Sequence, residues 1–396
     1  MKKLLLASAA ILVAAPALAD GHEIKLGVIL GFTGPIESLT PAMAAGAEMA
    51  MAEVTESGLL MDGKTVSSVR ADSTCVDSAA ATAAAERLIT SDGVKGIMGA
   101  DCSGVTGAVL SNVAVPNGMV MISPSATSPA LTAAEDNGLF FRTAPSDARQ
   151  GAVLAEILLE KGMNEVAVTY TNNDYGKGFA DAFEASYTDG GGSVSLATAH
   201  EDGKADYTAE VGALAAAGGD ALVVLGYVDQ GGAGIIQASL DSGAFDMFAF
   251  GDGMIGDALT ERFGSDIEGS IGTAPGSENE GGQIFASMAS DAGIDGTSVY
   301  AGESYDAASL ILLAMAAAGS HEPGDYVDHI LDVANAPGEP ILPGELAKAL
   351  EIINGGGEVD LVGATGVELV GVGEAAGSYA EFVVDGGGAL SVVGYR

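Results

Sequence analysis

The strongest constraint on the fold of this chain is a pattern that occurs twice in residues 96–127. In each copy a short apolar run leads into a cluster of small residues that opens a helix: GIMGA is followed, after Asp101, by Cys102-Ser103-Gly104, and MVMI by residues 123–127. Strand, hydroxyl-rich turn and helix in this order place backbone N–H groups and hydroxyls at the carboxyl ends of parallel strands, where open α/β sheets bind ligands. Such a site suits a small anion, and a carboxylate in particular.

The first half of the chain continues this alternation of strand and helix. Residues 24–30 and 66–72 are predicted strands, and the alanine-rich residues 78–90 a return helix. A further helix is expected to start at Thr40, with Thr40 as its cap and Pro41 at its first position. This half is therefore predicted to be a doubly wound parallel sheet of the α/β class.

A second unit with the same rhythm is predicted to start with a helix at 147–161 and a strand at 165–171. The apolar helix predicted at 305–318 needs a broad surface to cover it, so the chain is expected to return to the first unit before it. The other predicted elements of the second unit are strands near 193–199, 221–227, 247–250 and 267–273, and helices near 176–188, 206–218, 230–242 and 257–264.

The amino terminus has the features of an export signal, predicted to span residues 1–19. Lys2 and Lys3 precede an apolar run at 4–13, and residues 17–19 (Ala-Leu-Ala) form a small-x-small cleavage site. The apolar run is too short to span a bilayer as a stable helix. The alternative is an ordinary buried N-terminal helix. The residue directly after the cleavage site is Asp20 and not a cysteine, so a soluble exported protein is expected rather than a lipoprotein.

The charge of the chain excludes one large class of partner. Its 54 acidic and 15 basic residues give a formal net charge of −39 at pH 7. Because proteins bind phosphate backbones by neutralising them with basic residues, nucleic-acid binding is not expected. The excess is interpreted as a solvated acidic surface, and a cation-binding role is the alternative.

Catalytic, metal and cofactor signals are weak. Ser103 and Ser125 lack the turn context of a catalytic nucleophile, and the four histidines show no metal-ligand spacing. Residues 251–256 match G-x-G-x-x-G, but a carboxylate inside that loop would repel a pyrophosphate. No enzyme activity, metal or cofactor is therefore expected.

The two cysteines, Cys75 and Cys102, suggest one disulfide in an exported chain, with packed reduced thiols as the alternative. A bridge between them would close a loop and stabilise the fold by roughly 3 to 4 kcal/mol in the chain-entropy picture.

The chain resembles the periplasmic leucine/isoleucine/valine-binding proteins, the receptors of branched-chain amino acid ABC transporters. The resemblance implies two doubly wound lobes joined by a hinge that the chain crosses three times. Lobe 1 is then expected to comprise 20–143 plus 273–376, and lobe 2 to comprise 144–272 plus 377–396. It also implies a monomer in the periplasm whose partners are the cognate permease and its ATPase. The matching motifs are IKLGVILGFTGP, GADCSG with both cysteines, ISPSATSPALT, NNDYGKGFADAF, LGYVDQGG and FGDGM.

A free amino acid needs donors for its carboxylate and an anion for its ammonium. Ser103 and Thr127 are predicted to contact the carboxylate, and Ser125 and Ala126 to lie on the same loop, with the Ser125 carbonyl directed to the ammonium. Asp252 aligns with the family's acidic residue that meets the ammonium, with Asp where Glu is usual. The alternative for Asp252 is a helix cap.

The side-chain wall of the site is predicted from three further positions. Tyr175 and Tyr227 match family positions that cover the ligand, and the alternative is a place at the edge of the core. Leu39 stands where the branched-chain proteins carry an aromatic residue, so the pocket is expected to be reshaped. The resemblance implies a receptor for an amino acid, aliphatic or branched-chain. The alternatives are the same fold binding an amide, urea or small carboxylate, or an exported enzyme.

Overall fold

The computed structural model describes residues 22–396, so the predicted export signal at 1–19 lies outside the described residues. Two seven-stranded sheets organise this part of the chain. The first has the spatial order β13-β14-β5-β4-β3-β1-β2, and its neighbours are parallel except for β13 and β14. Its strands are β1 (Glu23–Leu30), β2 (Thr65–Asp72), β3 (Ile97–Gly99), β4 (Met121–Ser123), β5 (Phe140–Arg142), β13 (Leu369–Val370) and β14 (Glu374–Ala375).

The second sheet has the order β16-β15-β10-β9-β8-β6-β7. The five strands from β7 to β10 are parallel neighbours, while β15 and β16 run antiparallel at one edge. Its strands are β6 (Glu165–Thr171), β7 (Ser193–His200), β8 (Ala221–Leu225), β9 (Phe248–Phe250), β10 (Ile271–Pro275), β15 (Tyr379–Val384) and β16 (Leu390–Tyr395). A separate parallel pair consists of β11 (Glu339–Ile341) and β12 (Val359–Leu361).

Helices connect the strands of both sheets. Those of the first 200 residues are α1 (Thr40–Ser57), α2 (Ser78–Arg87), α3 (Ser103–Val109), α4 (Val115–Asn117), α5 (Asp147–Glu160) and α6 (Asp174–Asp189). The later ones are α7 (Thr208–Ala217), α8 (Gly231–Ser242), α9 (Asp257–Phe263), α10 (Glu280–Asp291), α11 (Ala301–Ala318), α12 (Pro323–Tyr326), α13 (Ile330–Ala334) and α14 (Leu346–Asn354).

The chain passes between the two sheets three times, and these passages form the hinge of the molecule. It leaves the first sheet after β5, returns after β10, and crosses again in the short segment between β14 and β15. The two-lobed α/β fold predicted from the sequence is confirmed. The residue limits of the two lobes stay a prediction.

The start of α1 corrects one prediction. Thr40 is the first helical residue rather than the cap, because Leu39 occupies the N-cap position and offers no side-chain hydrogen bond. The Thr40 hydroxyl instead donates to the carbonyls of Gly31 and Glu37, at 3.4 and 3.3 Å. Thr40 therefore holds together the loop that follows β1, beside the cleft between the lobes.

Helix α11 is the central helix of the first lobe. Fifteen of its eighteen residues are buried, because it packs against the helices α1, α13 and α14 and against the strands β3 and β4. Its contact with α1 requires a glycine, because a Cβ at Gly46 would lie 2.2 Å from the carbonyl oxygen of Ala301. Within residues 22–396, no helix combines the length and apolarity needed to cross a membrane.

Candidate functional site

The predicted site residues lie at the carboxyl ends of strands from both sheets. Ser103 opens α3 after β3, and residues 125–127 follow β4. From the other lobe, Tyr175 lies in the first turn of α6, Tyr227 follows β8, and Asp252 follows β9. Because parallel strands end at one edge of a sheet, the two sets meet across the cleft.

A small cavity of about 20 Å³ lies between the two lobes, which is room for about one water molecule. Six of the eight predicted ligand residues line it, while Ala126 and Thr127 are fully buried beside the lining residue Ser125 in the chain. Whether these residues bind a ligand stays a prediction. The lining consists of Ile36, Leu39, Asp101, Cys102, Ser103, Ser125, Tyr175, Tyr227, Asp252, Gly253 and Tyr300.

The three predicted hydroxyl groups of the first lobe differ in their hydrogen bonds within the protein. The Ser103 hydroxyl accepts from the backbone N–H of Ser128 at 3.1 Å, and the Ser125 hydroxyl donates to the carbonyl of Asp101 at 3.1 Å. The Thr127 hydroxyl is buried without a hydrogen-bond partner in the described part of the chain. The Asp147 carboxyl is near enough for Thr127 to lower its pKa, so this hydroxyl is available either to that carboxyl or to a polar ligand.

Asp101 is a buried residue of this site that the sequence analysis missed. Its carboxylate accepts from the N–H of Gly31 at 2.5 Å and from the hydroxyl of Ser73 at 2.9 Å. Burial raises the pKa of Asp101, and these hydrogen bonds partly offset that effect. Asp101 thus ties together the loops after β1, β2 and β3. Its signal in the sequence was a charged residue directly after a buried strand.

The predicted disulfide between Cys75 and Cys102 is confirmed, and it spans 27 residues. Both cysteines are buried, and Cys75 has a positive φ of 66°. The bond joins the loop after β2 to the residue before α3. It therefore restrains the backbone that carries Ser103.

Asp252 projects from a short 3₁₀ turn (Asp252–Met254) and is 1% exposed. Its carboxylate accepts from the phenol of Tyr175 at 2.6 Å and from the phenol of Tyr300. Burial raises the pKa of Asp252, and the two phenols partly offset this. The alternative role as a helix cap is wrong, since Gly256 is the N-cap residue of α9.

Two of the site's tyrosines pack directly on each other. The rings of Tyr175 and Tyr227 are stacked, with centroids 5.2 Å apart and an interplanar angle of 17°. The Tyr227 hydroxyl accepts from the side-chain amide of Asn173 at 3.2 Å. The two rings therefore form one rigid wall of the cavity.

Tyr300 is a second residue that the sequence analysis missed. It is the N-cap residue of α11 and has a positive φ of 69°, a conformation that bulky side chains rarely adopt. From the first lobe its phenol crosses the cleft to Asp252 in the second lobe. Its sequence context, SVYAGES, contains no hydroxyl-rich turn and matches no motif, so the sequence offered no signal for this role.

Further hydrogen bonds close the cleft around the cavity. The carboxylate of Asp229 accepts from the N–H of Ser38 at 2.8 Å, and the N–H of Asp229 donates to the carbonyl of Pro35 at 3.1 Å. On the other side, the Ser128 hydroxyl donates to the carbonyl of Asp174 at 2.9 Å. The lobes are therefore in direct contact on both sides of the site.

Arg142 shapes the loop that carries the candidate ligand groups. Its guanidinium is buried and donates to the carbonyls of Ala126 and Ser128, each at 3.0 Å. It also forms an ion pair with Glu374 in β14, directly before the last crossing between the lobes. Arg142 therefore couples the loop at 126–128 to the hinge. This role of Arg142 was not predicted from the sequence.

A wider groove of about 1000 Å³ lies beside the small cavity, and Tyr300 and Leu39 line both. Glu303 in the first turn of α11 lines this groove and is 7% exposed. Burial raises the pKa of Glu303 from 4.5 to about 8, and the charge of Asp306 adds to this. The folded protein therefore binds more protons than the unfolded chain between these values, so stability falls as the pH rises through them.

We therefore expect Glu303→Gln to stabilise the protein at alkaline pH. The amide stays neutral, so the free energy of unfolding should rise on the order of 2 kcal/mol near pH 8.5 and change little near pH 5. Urea unfolding at both pH values measures this. Glu278→Gln, at an exposed position nearby, is the matched control. Equal effects of Glu303→Gln at both pH values would contradict the assignment.

Comparison with known proteins identifies related sequences. A family model described as periplasmic binding protein matches residues 23–334. The Leu/Ile/Val-binding protein homolog 3 of Brucella melitensis is 31% identical over 259 residues, which cover 63% of this chain and 67% of that protein. Homolog 1 from the same organism is 28% identical over 339 residues, covering 81% of this chain and 89% of that protein.

Solved structures share the fold at lower identity. A leucine binding protein from Thermotoga maritima has a TM-score of 0.78 at 22% identity, covering 94% of this chain and 98% of that chain. A branched-chain amino acid transporter substrate binding protein from Streptococcus pneumoniae, in complex with isoleucine, has a TM-score of 0.76 at 22% identity, covering 94% and 99%. A solute binding protein from R. palustris, in complex with benzoate, has a TM-score of 0.74 at 20% identity, covering 94% and 96%. The family match extends over most of the chain and includes the loops that build the cleft, so this chain belongs to the periplasmic binding protein family.

Proposed function

We propose that this protein is the substrate-binding component of an ABC importer and captures an aliphatic or branched-chain amino acid in its cleft. It would act in the periplasm as a monomer, after export by the segment 1–19, and deliver the ligand to a membrane permease and its ATPase without chemical turnover. The periplasmic family and relatives named as Leu/Ile/Val-binding proteins support this proposal.

The observation that carries the proposal is the placement of Asp252 opposite the hydroxyl-rich turns. An amino acid would direct its carboxylate to Ser103 and Thr127 and its ammonium to Asp252 and the Ser125 carbonyl. Both ends of the ligand would then be paired in a desolvated cleft, where electrostatic interactions are strong. The cavity is too small for a leucine side chain, so binding requires the lobes to separate about the hinge and close again.

Leu39, Ile36 and the stacked tyrosines supply the apolar wall for an aliphatic side chain. The second candidate is a ligand with a carboxylate and no amine, since a neighbour of the same fold is in complex with benzoate. Asp252 disfavours this candidate, because an ionised acid in the cleft would repel an anion that brings no ammonium.

A thermal-shift screen tests the proposal. We expect leucine, isoleucine or valine to raise the melting temperature by several degrees, because a ligand at 100 times its Kd stabilises the folded state by about 2.7 kcal/mol. Urea, amides and benzoate serve as the comparison set. A shift produced by benzoate or an amide, with none from any amino acid, would overturn the assignment of the ligand.

A further inference from the structure

Asp147 is a buried acidic residue beside the candidate site that the proposed ligand contacts do not use. It is the first residue of α5, it is fully buried, and neither of its carboxylate oxygens has a hydrogen-bond partner in the described part of the chain. Its backbone N–H donates to the carbonyl of Thr127 at 2.9 Å, so it adjoins the loop that carries the candidate carboxylate donors. An ionised carboxylate that is buried without hydrogen-bond partners is disfavoured, so the group takes up a proton instead.

Asp147 and Asp252 are both buried, and the charge of Asp252 acts on Asp147. Neither residue forms an ion pair within residues 22–396. The positive charge that acts on Asp147 is that of Arg142, which is already engaged by Glu374. Two buried negative charges that act on each other are mutually repulsive, so protonation of one of the two carboxyl groups lowers their combined energy.

The other groups around the pair do not supply a charge of their own near neutral pH. Burial raises the pKa of Asp147 well above its usual value, the charge of Asp252 raises it further, and Thr127 and Arg142 partly offset this. Three phenols also respond to these acids. Burial raises the pKa values of Tyr175, Tyr300 and Tyr379, and the charges of Asp147 and Asp252 raise them further. They stay neutral and donate or accept hydrogen bonds only.

We propose that Asp147 and Asp252 hold one proton between them in the closed cleft, and that an ammonium group entering the cleft displaces it. This inference rests on the proposed function for its second half. Before binding, one carboxyl carries the proton and the other is ionised. When the ammonium arrives, the O–H bond ionises and the proton passes to solvent. The ammonium then takes the place of the proton as the positive charge beside the two carboxylates, while the ligand's own carboxylate is paired at the hydroxyl-rich turns.

This exchange distinguishes ligands by their chemical class. An amino acid releases the proton, whereas an amide, urea or des-amino carboxylate leaves it in place. Because binding and proton release are linked, the affinity for an amino acid depends on pH wherever binding releases a proton. In that pH range the affinity should fall by up to about tenfold when the pH is lowered by one unit. The affinity for a neutral ligand should show no such slope.

Calorimetric titration of the purified protein with L-leucine near pH 7 tests the exchange. Phosphate and Tris differ in ionisation enthalpy, so the difference between the two observed binding enthalpies counts the protons released. We expect a release approaching one proton, and a Kd that rises on acidification as the linkage requires. Binding of leucine with equal enthalpies in both buffers, and with a Kd independent of pH, would overturn the proton exchange.

Infrared spectroscopy of the ligand-free protein tests the proton site without any ligand. At neutral pH we expect the wild-type spectrum to contain the carbonyl band of protonated carboxyl groups. The difference between the wild-type and Asp147→Asn spectra should show that the variant has lost the band of one protonated carboxyl group. Asp266→Asn, which removes the same charge at an exposed position, should leave the band unchanged. An unaltered band in folded Asp147→Asn would overturn the proton site.

The two measurements separate the possible failures. A lost band together with no leucine binding would count against the proposed function while supporting the proton site. If Asp147→Asn does not fold, as judged by circular dichroism, the leucine titrations of the wild-type protein over a pH series decide the question. A flat profile in that series refutes the proposal, and a sloped profile supports it.

Discussion

Asp252→Asn should weaken the binding of leucine, isoleucine or valine by about 100- to 1,000-fold. Asparagine keeps the shape of the side chain and can accept from one of the two phenols and donate to the oxygen of the other, but it removes the negative charge opposite the ligand ammonium. Truncating one partner of a buried, hydrogen-bonded charge pair costs 2 to 5 kcal/mol or more, and each 1.4 kcal/mol is about tenfold in Kd. Isothermal titration calorimetry of the two proteins under one buffer condition measures the change.

The comparison needs both a ligand control and a protein control. 4-Methylpentanoate, which is leucine without its amino group, should bind the variant at least as well as it binds the wild-type protein. Asp257→Asn removes a charge from an exposed position five residues along the chain and should leave the Kd for leucine within a few-fold. A Kd for leucine that Asp252→Asn changes by less than threefold would remove Asp252 from the ammonium site.

Loss of the disulfide should cause the largest change in stability. Replacing Cys75 and Cys102 together with alanine should lower the free energy of unfolding by about 3 to 4 kcal/mol, because a bridge across 27 residues restrains the unfolded chain. Guanidinium chloride unfolding measures the change. The affinity for the ligand should fall as well, because the bridge restrains the backbone carrying Ser103.

The wild-type protein under reducing conditions is the matched control for this variant. Reduction breaks the same bond without changing the volume of either side chain, so the two losses of stability should agree within about 1 kcal/mol. A double variant as stable as the oxidised wild type would show that the bridge does not restrain the unfolded chain. Stability lost by the variant but not on reduction would assign the effect to packing of the cysteine side chains instead.

Much of the site could be predicted because it is local in sequence. Ser103 and Ser125 stand in hydroxyl-rich turns directly after apolar strands, and parallel strands bring such turns to one edge of a sheet. The residues of the second lobe, Tyr175, Tyr227 and Asp252, occupy equivalent places after their own strands. Ser103 and Ser125 could therefore be placed from the pattern alone, whereas Tyr175, Tyr227 and Asp252 were predicted as site residues from the resemblance to the family.

The residues that were missed act over long distances in the chain. Tyr300 reaches Asp252 across the cleft, and Arg142 pairs with Glu374 more than 200 residues away. Asp147 was included in the sequence analysis as the start of a helix, which is correct, yet its burial beside the site was not foreseen. Long-range pairs of this kind leave no local pattern in the sequence. The residues that flank each partner look like those of an ordinary helix start or strand.

The sequence by itself determined the class of fold, the pairing of the only two cysteines and the hydroxyl-rich turns, because these depend on periodicity, residue type and spacing along the chain. The tertiary structure alone decided how the charges of the cleft are arranged. It buries Asp147 and Asp252 without an ion pair to either acid among residues 22–396, and it places the Tyr300 phenol against Asp252. Burial and the distances between remote side chains arise only when the two lobes pack together, and they set the strength of each charge in the cleft.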